Sequence, residues 1–412
     1  MNRVLAGVAA ALLVALAAIG ILAGGEEEDG SPAESRSRDA SVEEVARRVE
    51  RVRELRFDRL PRVQEVSAEE ARRGGLRELD RQLPPGRQEV EGRLLKLLGL
   101  LPPSAGLRAV LGDVLAGEVG GYYVPRTGTL ALVRGSGLGA FGDAALAHEL
   151  THALEDQRFG IEQRAARSAL DDRAAARIAL HEGTATIVMV DYILLTRGGE
   201  REPPAGVRRR VLDALEGLAL PASSGLPRYF REALVFPYSA GAAFVDGIEA
   251  EGGWAAVNRV FRRGGPMSTE QVMHPRKYAA GERPLPVRLG AYRDALPAGA
   301  RVVSRGDLGE FDTAQLLRDG NGRERAERAA EGWGGSAFAM WRLPRAEDVL
   351  VMGWAWDTLR DAAEFEAAAR RTLRELDTPG ALERGERSVT VVLAPSGALA
   401  RRVAGRALTP LR

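Results

Sequence analysis

The stretch His148-Glu149-Leu150-Thr151-His152 constrains this chain more than any other part of its sequence. Residues four apart on an α-helix lie one turn above each other on the same face. His148 and His152 can therefore bind one metal ion together. Zinc accepts two neutral imidazoles and a carboxylate and leaves a fourth position open for water. The spacing predicts a zinc site built on a helix.

Glu149 adds the group that such a site needs for catalysis. On the helix it lies one residue from His148 and points at the water that the metal would hold. Bound zinc lowers the pKa of water from ~15.7 to roughly 7, and a nearby carboxylate can take the proton as the water attacks a carbonyl. The motif therefore predicts a metalloprotease site, against the alternative of a surface helix with a coincidental spacing.

The residues around the motif favour a helix that is packed inside a domain. Ala147 and Leu150 are uncharged, as expected for a helix with one polar stripe turned to a cleft. We expect Asp143 to cap the start of this helix and Gly160 to end it.

A third ligand must come from elsewhere in the chain. The extended form H-E-x-x-H-x-x-G-x-x-H does not fit, because Glu155 replaces its glycine and Arg158 replaces its last histidine. Glu182, within Leu180-His181-Glu182-Gly183-Thr184-Ala185-Thr186, offers a carboxylate instead. We predict Glu182 as the third ligand.

The distance along the chain allows Glu182 to return to the motif. An Ala-rich stretch with apolar residues at helical spacing predicts a second helix over residues 163–196. Gly183 costs such a helix roughly 1 kcal/mol relative to Ala. We expect this glycine to let the second helix approach the first one closely.

Taken together, these residues resemble the glutamate-type zincins, metallopeptidases with H-E-x-x-H and a downstream glutamate. More narrowly, the chain is similar to a poorly characterised bacterial group of membrane-associated or secreted H-E-x-x-H proteins. The resemblance covers roughly residues 40 to 290. It rests on five stretches: His148 to Asp156, Glu182 to Thr186, Gly121 to Gly128, Phe236-Pro237-Tyr238 with Gly241, and Ser268 to Pro275.

This resemblance implies a zincin fold with a short sheet and an edge strand over the cleft, together with peptide-bond hydrolysis. It implies no defined substrate. Zincins often use a downstream Tyr or His to stabilise the oxyanion, and the candidates here are Tyr238, His274 and Tyr278. Pro237 and Gly241 indicate a turn into a helix, which favours Tyr238.

Three polar residues beside the motif invite supporting roles. His181 lies about 100° from Glu182 around a helix, so we expect it to support or pack rather than to bind the metal. Glu155 and Asp156 follow His152 closely. Either could hold the N–H of a metal-bound imidazole, although a solvated helix end would explain them as well.

A β-hairpin is predicted before the motif. Residues 121–124 and 129–133 favour strands, and Pro125-Arg126-Thr127-Gly128 favours the turn between them. In a zincin such a strand lies above the metal, and an extended peptide can pair with its free edge. An ordinary structural hairpin is the alternative, and both interpretations can hold at once.

The sequence at the N-terminus predicts the cellular compartment of the protein. Arg3 precedes an apolar run over residues 4–23, close to the ~20 residues that cross a bilayer, and acidic residues 26–29 follow. This charge order places the N-terminus in the cytoplasm and the rest outside. We favour an uncleaved anchor in the cell membrane, because the run is longer than that of a typical signal. Small residues at 23–25 leave cleavage and secretion open.

Composition restricts the partners. The chain has no cysteine, so no disulfide supports it, and its 45% hydrophobic residues must supply the core. A formal net charge of +1 argues against broad binding of nucleic acid. The expected partners are a protein or peptide substrate and the membrane, the latter through the N-terminal helix. The oligomeric state is left open.

The fold class that we predict is α+β, with four parts. Residues 1–25 form an anchor or signal sequence and residues 26–40 a linker rich in Ser, Gly and charge. Residues 41–295 form the zincin-like domain, with a short sheet and the active-site helices. Residues 296–412 form a small α+β domain.

Strands and helices are expected to alternate in the C-terminal part. The pattern predicts strands over residues 336–342, 348–355 and 388–394, and helices over 359–376 and 397–404, with an antiparallel sheet. Four of the five tryptophans lie here, and we interpret them as core residues. We assign this domain packing, substrate positioning or regulation.

Two classes of function fit the sequence. The first is an extracytoplasmic zinc peptidase in which His148, His152 and Glu182 bind one zinc ion and Glu149 is the general base. The second is a zincin-fold binding or regulatory protein that uses its metal structurally. A structural site has no need of Glu149, so its presence favours the enzyme.

Overall fold

The computed structural model describes residues 41–116, 121–133, 140–160, 168–197, 206–216 and 225–407. The predicted anchor or signal sequence (residues 1–25) and the predicted linker (residues 26–40) lie outside these described residues, and both stay predictions. The fold is α+β, as the sequence predicted.

Helices dominate the chain before residue 300. They are α1 (Val42–Arg53), α2 (Ala68–Gln82), α3 (Pro85–Leu97), α4 (Leu107–Ala116), α5 (Ala140–Phe159), α6 (Asp172–Arg197), α7 (Val207–Glu216), α8 (Arg228–Arg262), α9 (Thr269–Met273) and α10 (Pro275–Ala279). Non-helical backbone at Gly252 and Gly253 divides α8 into two helical parts.

A three-stranded sheet lies beside these helices. Its strands are β1 (Arg62–Val66), β2 (Gly121–Val124) and β3 (Thr129–Val133), in the order β1-β3-β2. The antiparallel pairing of β2 with β3 confirms the predicted hairpin, and β1 pairs with β3 in parallel. In the part of the chain that the structure describes, β2 has a partner strand on one side only, so its other edge can accept a further hydrogen-bonding group.

Helix α5 carries the H-E-x-x-H motif. It begins at Ala140, so Asp143 lies inside its first turn and the predicted cap at Asp143 is wrong. Gly160 ends the helix as predicted. It has a φ of 71°, and its amide donates to the carbonyl oxygen of Asp156 at 2.9 Å.

Helix α6 carries Glu182 and crosses another helix at very short range. A Cβ built on Gly183 would lie 2.2 Å from the carbonyl carbon of Gly241. Gly241 belongs to α8, so the glycine permits a close helix approach, but to α8 and not to α5 as we expected. A Cβ on Gly241 would likewise lie 2.1 Å from the carbonyl oxygen of Ala179. At this crossing no side chain fits between the two backbones.

The C-terminal part holds a second sheet of five antiparallel strands, in the order β4-β5-β6-β8-β7. Its elements are β4 (Arg301–Gly306), α11 (Glu310–Leu317), α12 (Arg323–Ala330), β5 (Trp333–Arg342), β6 (Asp348–Trp356), α13 (Leu359–Glu375), β7 (Gly380–Arg384), β8 (Ser388–Leu393) and α14 (Gly397–Ala407). The three predicted strands and both predicted helices are confirmed, whereas β4, β7, α11 and α12 were not predicted.

The tryptophans of this part are core residues, as predicted. Trp333, Trp354 and Trp356 are buried, and the rings of Trp354 and Trp356 lie 4.9 and 4.6 Å from that of Phe365 on α13. Trp341 is buried with the apolar residues of α14 on the other face of the sheet. Both faces are therefore covered by helices.

One apolar core spans the predicted domain boundary at residue 296. It joins Leu94 of α3 and Phe230 of α8 to Trp354 and Phe365. The division into residues 41–295 and 296–412 stays a prediction. A second apolar cluster packs around α1, α5, α6 and α8 and encloses the motif.

A polar contact also crosses this boundary, at the start of α6. The amide of Asp172, the first residue of the helix, donates to Asp307 Oδ1 at 2.7 Å. Asp172 Oδ1 in turn accepts the amide of Thr269 at 2.8 Å. The C-terminal part thus supplies a hydrogen-bond acceptor to the helix that carries Glu182.

Among the residues described, one helix is long and apolar enough to cross a membrane, over Asp172–Thr196 of α6. Its most apolar stretch is 67% buried inside the protein. Burial of this kind is expected for a core helix, so the finding is weak evidence for a membrane span.

We predict that Gly183→Ala destabilises the protein by about 3 kcal/mol, at the upper end of the ~1–3 kcal/mol cost of overpacking, because the new methyl group meets backbone. Thermal or denaturant unfolding measures the effect. Gly247→Ala on α8 is the matched control, since a Cβ built there has no atom within 4 Å. This control should leave stability unchanged or raise it by up to ~1 kcal/mol. Equal stabilities of the two variants would contradict the close crossing.

Candidate metal centre

Helices α5 and α6 bring the three predicted ligands together. His148 Nε2 lies 3.1 Å from Glu182 Oε2 and 3.2 Å from His152 Nε2. His152 Nε2 lies 3.4 Å from the same carboxylate oxygen. All three side chains are buried. Three potential metal-binding atoms thus form a compact triangle inside the protein.

The size of this triangle fits a tetrahedral ion. Two ligand atoms that are each ~2.0–2.1 Å from tetrahedral zinc lie about 3.3 Å from one another. The three observed distances, 3.1 to 3.4 Å, lie around this value. The donors are two imidazole nitrogens and one carboxylate oxygen, which zinc accepts in catalytic sites. The residues present therefore fit the ion that the sequence predicted, and the identity of the metal is taken up as a proposal below.

The charges of the site favour a cation. Burial alone would raise the pKa of Glu182, but the two histidines lower it below its usual value, so the group is a carboxylate. Burial alone would lower the pKa of His152, but Glu182 raises it above its usual value. A proton and a metal ion therefore compete for the same nitrogen, and metal binding at this position releases a proton.

Glu149 lies beside the triangle without belonging to it. The group of possible metal-binding residues comprises His148, His152 and Glu182. Glu149 is 2% exposed, and its Oε2 accepts the backbone amide of Tyr123 at 2.8 Å. Its Oε1 is buried and has no hydrogen-bond partner in the part of the chain that the structure describes. Burial raises the pKa of Glu149, and the two nearby histidines oppose this rise.

Of the three oxyanion candidates, Tyr238 is the one placed at this site. Its hydroxyl is hydrogen-bonded to Glu182, and its ring lies 6.0 Å from the ring of His148. Burial, and next the Glu182 carboxylate, raise the pKa of Tyr238 well above its usual value, so the phenol keeps its proton. His274 instead pairs with Glu310 at 2.8 Å. The ring of Tyr278 lies against Phe244.

The supporting residues differ from those expected. Glu155 does hold an imidazole, but that of His181, at 3.3 Å. On its other oxygen it accepts a hydrogen bond from Arg53, also at 3.3 Å, and both of these side chains are fully buried. Neither a contact with a metal-binding histidine nor a solvated helix end therefore describes Glu155. His181 lies outside the metal-binding triangle, as we predicted.

Two residues that hydrogen-bond to the acidic side chains of α5 were not predicted from the sequence. Arg53 lies on α1, with its guanidinium 4.4 Å from the centre of the Trp254 ring. Tyr123 binds Glu149 through its amide and donates its phenol hydrogen to Asp156 Oδ2 at 2.9 Å. The predicted strand over residues 121–124 was a signal for Tyr123, whereas no pattern in the sequence pointed to Arg53.

Comparison with known proteins gives one match. Residues 299–411 match a family described as Domain of unknown function (DUF8575). The matched region excludes all the residues of the metal-binding triangle and Glu149. No curated protein and no solved structure matches the chain. The match therefore concerns the C-terminal part alone and assigns no activity.

We predict that His152→Asn weakens zinc binding by more than about 100-fold, beyond the ~10–100-fold effect of losing a supporting partner. Competition with a chromophoric chelator measures the affinity. His181→Asn is the matched control on the neighbouring helix and should change affinity by less than about tenfold. If His181→Asn stays folded and loses zinc as His152→Asn does, the ligand set is wrong.

Proposed function

We propose that this protein is a zinc-dependent peptidase of the zincin class. The observation that supports this proposal most directly is the position of Glu149, which lies beside the triangle of His148, His152 and Glu182 and does not belong to it. A carboxylate that is adjacent to the ligands, but not one of them, has a role in hydrolysis and none in holding a structural ion. We assign one zinc ion per chain to the triangle.

Each side chain then has a separate role. His148, His152 and Glu182 would hold the zinc ion, which would supply a Lewis acid that lowers the pKa of a water molecule. Glu149 is the general base: its free Oε1 takes the proton of the attacking water and passes it to the leaving amine nitrogen. Tyr238 would turn its single phenolic hydrogen from the Glu182 carboxylate to the oxyanion that develops on the carbonyl oxygen.

An extended peptide is the substrate class that suits the sheet. Among the described residues, strand β2 has one edge without a partner strand; the Tyr123 amide on that edge is taken by Glu149, so a peptide would pair with the other main-chain groups of the edge. Peptides commonly bind such an edge through main-chain hydrogen bonds. The substrate is therefore a protein or peptide in an extended conformation.

The compartment is part of the same proposal and depends on the sequence alone. The apolar run over residues 4–23 would anchor the protein in the cell membrane, with the catalytic domain outside the cytoplasm. Cleavage after this run would release the protein instead. Nucleic acid is not among the proposed partners, because the formal net charge is +1.

The decisive experiment compares the full-length protein with Glu149→Gln. We expect the variant to bind zinc as tightly as the wild type and to lose at least about 100-fold in kcat, the usual effect of removing a general base. Zinc content and cleavage of an unbiased peptide library are measured with and without chelator. Glu89→Gln, an exposed glutamate on α3, is the control and should retain activity. Undiminished cleavage by Glu149→Gln would contradict the mechanism.

Tyr238→Phe tests the oxyanion role. The variant keeps the ring against His148 and removes the hydroxyl that binds Glu182. We expect kcat to fall by about 100-fold, as when one oxyanion donor is removed, with zinc content and KM little changed. Steady-state kinetics on one cleaved peptide measures both parameters. A loss of zinc with unchanged kcat per bound ion would instead assign Tyr238 a role in metal binding alone.

A binding or regulatory protein that uses its metal structurally is the second candidate. The burial of His148, Glu149, His152 and Glu182, each at most 7% exposed, favours it, because a substrate must reach the metal. Stoichiometric zinc, with no cleavage by the wild type or by Glu149→Gln, would support this candidate against the enzyme.

A further inference from the structure

Tyr123 contacts α5 at two points. Its backbone amide donates to Glu149 Oε2 at 2.8 Å, and its phenol donates to Asp156 Oδ2 at 2.9 Å. Glu149 and Asp156 lie two turns apart on one face of the helix, and His152 lies on this face between them. Tyr123 of β2 is therefore hydrogen-bonded to both ends of the stretch of α5 that carries His152.

The amide of Tyr123 is on the open edge of the strand. Within β2, Tyr123 lies opposite Leu130 of β3, yet its amide donates to Glu149 on the other side. The sheet order β1-β3-β2 leaves that edge without a partner strand. The hydrogen bond to Glu149 therefore uses a donor that the sheet leaves free.

This amide determines the orientation of the carboxylate. Glu149 is almost fully buried, and among the described residues its one hydrogen bond is to Tyr123. Its second oxygen has no partner in the same part of the chain. Fixing one oxygen of a planar carboxylate restricts where the other can lie. Bulk water cannot replace the amide, because the group is shielded from solvent.

We propose that Tyr123 is the positioning residue for Glu149. Its amide holds Oε2 so that Oε1 stays available to take a proton, and its phenol holds the strand on the helix through Asp156. This inference depends on the proposed function, in which Glu149 is the general base. Tyr123 touches neither the substrate nor the metal in this role and acts through Glu149.

The test distinguishes the contribution of the Tyr123 backbone amide from that of the Tyr123 phenol. Tyr123→Ala and Tyr123→Pro both remove the phenol, and only the proline variant also removes the amide hydrogen. Proline is tolerated on edge strands where the N–H is not part of the ladder. We expect kcat of Tyr123→Pro to be about 10–100-fold below that of Tyr123→Ala, the effect of misplacing a reacting group by about 1 Å. KM and zinc content should be the same in the two variants.

A measurement that needs no activity accompanies the kinetics. Each protein is loaded with Co²⁺, whose visible spectrum responds to the groups around its ligands. The change caused by Glu149→Gln serves as the reference. Tyr123→Pro should reproduce that change, and Tyr123→Ala should retain most of the wild-type spectrum. If the wild type cleaves no peptide and the spectra still follow this order, the peptidase proposal fails and the positioning role remains.

Thermal unfolding would reveal whether Tyr123→Pro misfolds. A third comparison, made without proline, tests the inference in that case. Tyr123→Phe and Asp156→Ala each remove the phenol contact and keep the amide. We expect each to lower kcat by a similar factor, and the double variant to lower it no further, because both remove one interaction. Additive losses in the double variant would overturn the inference. Equal kcat values and spectra for Tyr123→Pro and Tyr123→Ala would also overturn it. Faster cleavage by Tyr123→Phe than by the wild type would do the same.

Discussion

The arrangement of the site depends on the direct backbone contact between α6 and α8. Gly183 and Gly241 meet where a single methyl group on either would collide with main-chain atoms. Glu182 precedes the first glycine, and Tyr238 lies one turn before the second. Because no side chain separates the two helices, the Tyr238 phenol reaches the Glu182 carboxylate. A wider crossing would separate these two groups and leave Glu182 with the two imidazoles alone.

Burial decides the electrostatics of the rest of the site. A carboxylate or guanidinium that is removed from water is costly unless it is paired, and the fully buried Glu155 is paired with Arg53 and His181. The same condition applies to Glu182, which lies among two imidazoles and a phenol. Glu149 is bound through one oxygen only, since its Oε1 has no hydrogen-bond partner in the described structure, and two guanidinium nitrogens of Arg53 also have none there. An unsatisfied polar atom in such a place is costly for folding and is typical of groups that act in chemistry.

The sequence predicted what depends on local pattern. The H-E-x-x-H helix, the hairpin over residues 121–133 and most of the C-terminal elements follow from spacing and turn residues, and so does the proximity of Glu182 to the motif. Other contacts between distant residues could not be predicted. Nothing local distinguishes α8 from α5 as the neighbour of Gly183, and nothing relates Arg53 to Glu155. The predicted cap at Asp143 failed because α5 begins at Ala140, three residues earlier, so that Asp143 lies within the first turn.

The core that joins α3 and α8 to the C-terminal sheet has a consequence for how the protein matures. Both histidines and Glu182 leave the ribosome well before β5, β6 and β8, which complete that core. Asp307, which receives the first amide of α6, is also made later than the helix it supports. Until the last strands are synthesised, the ligand-bearing helices lack part of the surface that they pack against. If the triangle binds metal as proposed, tight binding would follow completion of the chain, and a truncated product would expose the apolar surface that the last strands cover.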